Sequence, residues 1–165
     1  MKHIKDIKKK IEWEKYYDPD FDWDYKQFYY KSNELSEDFI REFQDKVNWS
    51  YISEYQKLSE EFIKEFKDSV HWWFISAYQK LSENFIREFQ NKVNWYWISQ
   101  KQQLSEDFIR EFQNKVNWEC ISAYQTLSED FIREFKYKIN WNYIYKCQVF
   151  SKEFEEEFKD KLKLK

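Results

Sequence analysis

Every 23 residues this chain places a basic side chain: Arg41, Lys64, Arg87, Arg110 and Arg133. Cations on stacked units about 10 Å apart could track a phosphate backbone. Large aromatic residues accompany them, including Trp73–Phe74 and Tyr96–Trp97. Bases stacking on such rings would complete a single-strand nucleic-acid surface. Two features weigh against that chemistry. Each cation stands four residues after a Glu, as in Glu37–Arg41 and Glu106–Arg110, and that spacing pairs the two on one helix face. The net charge is −3 with both signs interleaved, which is not a basic footprint.

Catalytic chemistry has less support. His3 and His71 are the only histidines, and they occupy unrelated contexts. No Ser/His/Asp or Cys/His spacing stands out, and a chain without glycine has no glycine-rich phosphate loop. Cys120 and Cys147 fall at different repeat positions without a CxxC spacing, which predicts neither a disulfide nor a zinc site. The many carboxylates recur with helical pairing and read as solvated ion pairs. The expectation is a non-enzymatic protein with no catalytic residue, no cofactor and no metal.

The elements behind these residues come from a repeat. A 23-residue unit opens at Leu35, Leu58, Leu81, Leu104 and Leu127, and in degraded form at Phe150. A fixed period in this range marks an array of stacked supersecondary units. With Leu as position 1, apolar residues fall at positions 1, 5, 6, 9 and 13, for example Leu58, Phe62, Ile63, Phe66 and Val70, which is a helical stripe. Position 2 is Ser in all six copies, and in the five close copies Glu follows it and usually another acid, the signature of an N-cap. Glu at position 3 with Arg or Lys at position 7, and Glu at position 8 with Lys at position 12 as in Glu42–Lys46, are spaced to pair within the helix. Asn48, Asn94, Asn117 and Asn140, with His71 in their place once, read as caps of a second helix carrying Trp, Ile and Gln at positions 15, 18 and 22. The unit is then two helices of about 11 and 8 residues. A leucine-rich-type repeat with a strand at Val47–Tyr51 is the alternative, but its consensus is missing. The fold class is all-α: an α-solenoid of two-short-helix repeats with N- and C-terminal caps.

The expected organisation is 1–34 as N-terminal cap and divergent first repeat, 35–149 as five repeats, and 150–165 as a C-terminal capping helix. Ile4, Ile7 and Ile11 form an amphipathic stripe ended at Asp18–Pro19. In the last copy Glu155 replaces the Ile of position 6, as a terminal repeat should. Aromatics make up 23% of the chain and only Ala77 and Ala123 are alanine, so the core must be aromatic. No apolar run spans a membrane and no signal peptide is evident, so a soluble, intracellular location without membrane association is expected.

Comparing the copies separates constant from variable positions. In the second helix, positions 15, 18, 19 and 22 hardly change, whereas 16, 17 and 20 change freely and share one arc. That arc carries Ser50, Tyr51 and Glu54; Trp73, Phe74 and Ala77; Tyr96, Trp97 and Gln100; Glu119, Cys120 and Ala123; Asn142, Tyr143 and Lys146. Drift on a wet face is one account. Four large aromatics on neighbouring repeats, Trp73, Phe74, Tyr96 and Trp97, favour another, since exposed apolar patches mark interfaces. The candidate partner is a protein, host-derived or a second copy. A self-associating spacer, or single-strand binding through the Arg ladder, are the alternatives. Position 17 could instead pack on the preceding repeat.

The string LSEDFIREFxxKVNWxxIS resembles short repeats found in many copies in proteins of giant DNA viruses of the mimivirus kind. The resemblance covers 35–149 closely and 150–165 loosely. It implies a viral repeat protein of unassigned activity, expressed in an infected host cell, and it supplies no catalytic residue. The departures are His71 for Asn, Ser69 for Lys and Tyr145 for Ser.

Overall fold

The computed structural model describes residues 34–162. Among them are twelve α-helices and no strand. The first helices of successive copies are α1 (Glu37–Glu42), α3 (Glu60–Glu65), α5 (Glu83–Glu88), α7 (Glu106–Glu111), α9 (Glu129–Glu134) and α11 (Lys152–Glu157). The second helices are α2 (Trp49–Tyr55), α4 (Trp72–Tyr78), α6 (Trp95–Lys101), α8 (Trp118–Tyr124) and α10 (Trp141–Cys147), and a short α12 (Lys159–Leu162) closes the series. The chain divides into two compact units, Met1–Gln79 and Lys80–Lys165. In the first, α2 packs on α4; in the second, α6 packs on α8 and α8 on α10. Paired helices stacking in sequence order make the fold an α-solenoid. The expected N-terminal helix and divergent first repeat lie outside the described residues.

Local chemistry sets the helix starts. The Ser36 hydroxyl accepts from the Phe39 N–H, and Ser59, Ser82, Ser105, Ser128 and Ser151 do the same in their own copies. One of the four unpaired N–H groups at each helix start is thereby satisfied. Asn48, Asn94, Asn117 and Asn140 cap the second helices through Oδ1. His71 makes no side-chain cap, and its ring lies 4.9 Å from Phe74 instead.

The first helices end earlier than their apolar stripe suggests, at six residues and not about eleven. At Phe43 the backbone opens to φ −112°, ψ 24°, and the N–H groups of Lys46 and Val47 then both return to the Phe43 carbonyl. This extra turn carries position 13 inward, so Val47, Val70, Val93, Val116 and Ile139 are buried although they lie beyond the helix. The second helices end in extended backbone, such as Gln79 at φ −91°, ψ 149°. Every described cap has negative φ, which is how the fold dispenses with glycine.

In each unit the core is built of Leu, Phe, Ile and Val. Ile40, Phe62, Ile75, Ile98, Phe108, Ile121 and Phe131 are wholly buried. Each such side chain contributes roughly 1.5–3 kcal/mol, which helices of six or seven residues cannot do without. The constant Trp forms the seam between copies. Trp49 lies 4.9 Å from Phe66, Trp95 5.0 Å from Phe112, Trp118 4.9 Å from Phe135 and Trp141 4.9 Å from Phe158. Each indole N–H donates to its own repeat's turn, as Trp118 Nε1 does to the Gln113 carbonyl at 2.9 Å. Glu155 stands half-exposed where the other copies bury Ile.

Candidate functional site

Two polar side chains fix how one second helix lies on the next. Gln at position 22 is buried. Gln125 Oε1 accepts from the Leu104 N–H at 3.1 Å, and its Nε2 donates to the carbonyls of Ser99 at 3.0 Å and Gln102 at 2.8 Å. Gln79 repeats this set in the first unit, with Leu58, Ser53 and Gln56. The amide therefore caps its own repeat's entry and the preceding repeat's exit at once. Ser at position 19 does the complementary work. Ser99 Oγ donates to the Trp95 carbonyl at 2.7 Å and accepts from the Asn117 N–H at 2.9 Å, and Ser122 does the same for Trp118 and Asn140. Tyr145 takes this position in α10, which no further Asn-capped helix follows in the described residues, and its ring is exposed. The substitution thus falls where the joint is not needed. Gln148 keeps the bond from the Leu127 N–H, but its buried Nε2 has no partner.

These joints leave the variable positions only partly free. Position 16 is the outermost: Trp73 is 39% and Tyr96 47% exposed, and Glu119 and Asn142 are exposed too, while Ser50 is half-buried. Position 17 is more covered. Tyr51, Phe74 and Trp97 are half-buried, and Cys120 is 3% exposed; only Tyr143 stands out, with its hydroxyl 3.4 Å from Glu119 Oε1. At position 20, Lys146 is exposed, Glu54 and Gln100 are half-buried, and Ala77 is buried. The aromatic quartet is therefore two edge-to-face pairs, Trp73–Phe74 at 5.0 Å and Tyr96–Trp97 at 5.1 Å, each with its position-16 ring outermost. The comparison of copies missed Tyr78 and Tyr124 at position 21, both well exposed. Their signal was the helical spacing that stands them next to position 17.

Electrostatics tie part of this side together in the second unit. The neighbouring Cys120 pushes the pKa of the Tyr96 hydroxyl up, with partial burial, Tyr124 and Glu119 acting the same way. The Glu119 carboxylate, ahead of burial, raises that of Tyr143. Burial, then Glu119, pushes the Cys120 thiol up, so it stays protonated at neutral pH.

The Arg ladder is engaged. Arg110 Nε donates to Glu134 at 2.8 Å, its Nη1 to Asp107 at 2.9 Å, and Glu106 lies 3.6 Å from Nη2. Arg41 and Arg133 each face three carboxylates in the same way, and Arg87 meets Glu83, Glu111 and the Asn84 amide oxygen. The guanidinium also covers the next repeat's Phe ring, as Arg110 does Phe131 at 5.0 Å. Lys64 is the exposed fifth rung. The expected pairing of position 8 with position 12 gives way in these copies: Glu111 and Glu134 turn back to Arg87 and Arg110, while Lys115 and Lys138 donate to Gln90 and Gln113. A neighbouring repeat's Arg reaches Glu with a better-directed guanidinium than the flexible Lys one turn away.

Among the described residues no group of three His, Cys, Asp or Glu could hold a metal ion, and no helix is long and apolar enough to cross a membrane. Cys120 is buried and Cys147 exposed, and neither forms a disulfide. Comparison with protein-family models, characterised proteins and solved structures finds no match to this chain.

Proposed function

We propose that the chain is a non-enzymatic repeat scaffold that binds a protein partner through the outward positions of its second helices. The supporting observation is the exposure of Trp73 and Tyr96 at position 16, where each leads an edge-to-face aromatic pair. Large rings left in water at equivalent positions, each set against a half-buried aromatic side chain, have the make-up of interface anchors. The Arg ladder lends itself less to a nucleic-acid backbone, because its guanidiniums are already neutralised by neighbouring carboxylates. A giant-virus origin, with a host protein as the partner, is the setting that the repeat resemblance suggests.

The test is a double change, Trp73→Ser with Tyr96→Ser. Both side chains are outermost, so the fold tolerates the change; Trp97, half-buried, would confound it. Proteins captured from a host-cell lysate by the parent chain should be lost with the double variant and kept with a Tyr137→Ser control, whose ring is exposed on a first-helix turn. Equal capture by all three chains would overturn the proposal. Sedimentation at increasing concentration separates capture of a partner from self-association.

A further inference from the structure

We infer that, within the unit Lys80–Lys165, this same side takes a cationic side chain, Lys or Arg, from the partner polypeptide, at a patch made by Glu119, Tyr96, Tyr124 and Tyr143. The inference rests on the proposed interaction surface and adds the chemistry that one part of it recognises.

Glu119 differs from the acids that build the joints between copies. Those at positions 3 and 8 are drawn into the Arg ladder or onto the next repeat's Ser N–H, as Glu106 is onto Ser128 at 2.6 Å. Glu119 opens α8, is exposed, and among the described residues bonds only the Tyr143 hydroxyl at 3.4 Å, with no Lys or Arg within ion-pair distance. It also borders a shallow depression with Lys138, Asp160 and Lys161. There Lys138 is occupied, its ammonium donating to Gln113 at 2.8 Å and lying 5.5 Å from the Trp118 ring.

One tyrosine, Tyr143, touches this carboxylate, and two more stand on α8 and the helix packed against it. Tyr96 lies on α6, Tyr124 on the same helix α8, and Tyr143 on α10, and α8 packs between α6 and α10. Tyr124 is 60% exposed, the most open ring of the described second helices. The upward-shifted pKa of the Tyr96 and Tyr143 hydroxyls has Glu119 and Tyr124 among its causes, in keeping with their closeness. Elsewhere in the fold aromatic faces already carry a cation: Phe108 under Arg87, Phe131 under Arg110, Phe154 under Arg133. Among the described residues no cation lies over Tyr96, Tyr124 or Tyr143. An exposed carboxylate with vacant tyrosine faces beside it complements an alkylammonium or guanidinium in both charge and ring quadrupole.

The probe is acetylated, amidated octalysine, titrated into the full isotope-labelled chain and followed by amide NMR shifts. Shifts should centre on α8 and the start of α10. Glu119→Gln and Tyr124→Leu should each weaken binding about two- to fivefold, the range for an exposed ion pair or cation–ring contact. Glu153→Gln, which removes an exposed charge elsewhere in the unit, controls for general attraction to an acidic chain. Equal weakening by Glu119→Gln and Glu153→Gln, or shifts spread away from α8, would overturn the inference. If it fails while capture still depends on Trp73 and Tyr96, only the cation assignment falls. If capture is also insensitive to those rings, the interaction surface falls with it.

Discussion

Replacing Gln125 with Leu is the sharpest probe of what joins one repeat to the next. The side chain is buried and nearly isosteric with Leu, so the change leaves little cavity. It removes three hydrogen bonds: from the Leu104 N–H, and to the Ser99 and Gln102 carbonyls. Each stranded buried group costs about 1–3 kcal/mol, the N–H at the upper end and the carbonyls, with two lone pairs each, at the lower. The sum is about 4–5 kcal/mol, and the more apolar Leu side chain returns about 1. A net loss of about 3–4 kcal/mol is expected, a large share of an ordinary domain's stability. Gln148→Leu provides the internal comparison. Gln148 gives one bond, from the Leu127 N–H, and its Nε2 is already unpartnered, so its replacement should cost about 1–2 kcal/mol less. Urea unfolding followed by tryptophan fluorescence reads both, and hydrogen exchange of the Leu104 amide localises the first. If Gln125→Leu lies within about 1 kcal/mol of the parent chain, or costs no more than Gln148→Leu, the amide ladder is not what holds the stack.

Three further outcomes follow from the same geometry. Ser122→Ala removes the hydroxyl between the Trp118 carbonyl and the Asn140 N–H and should cost about 1–2 kcal/mol in urea unfolding, whereas Tyr145→Ser, at the same repeat position in α10, should be near neutral. The Glu129 carboxyl is held below its usual range, chiefly by the Ser151 backbone N–H. Its contribution is therefore fully present above the unfolded-state value near about pH 4.3 and is lost as pH falls through the lower folded value. Glu129→Gln should flatten that part of the acid-unfolding profile, and an unchanged profile would refute the assignment. A thiol reagent should label Cys147 at once and Cys120 only on unfolding, because burial keeps the latter protonated and covered. Mass spectrometry of the labelled chain distinguishes the two.

What could be read from the chain was what a single repeat decides for itself. The Ser and Asn caps, the inward Phe–Ile stripe and Glu155 in the place of Ile are local or periodic signals, and the structure carries them. Where the reading fell short, the partner lay one copy away. The stripe through Val47 suggested a longer helix because a turn closing on the Phe43 carbonyl buries the same residue that a helix would. Glu111 has Lys115 one turn ahead in sequence, yet it meets Arg87, 24 residues back, and no spacing rule reveals that preference. The variable arc was legible as an arc, but its depth was not: Cys120 and Ala77 lie on it and are buried.

The joints carry a consequence for how such a chain can change over time. Each described joint is made by side chains at fixed positions: Gln at 22 reaching back, Glu at 3 reaching forward to the next Ser N–H, and Ser at 19 receiving the next cap. None depends on which copy it belongs to. A gene duplication or deletion in steps of 69 nucleotides, three for each residue of the 23-residue period, would preserve every bond at the splice. Copy number can therefore vary between related chains without a folding penalty beyond the altered stack length. Each added copy brings a new position 16, which is free to diverge while the joints stay the same.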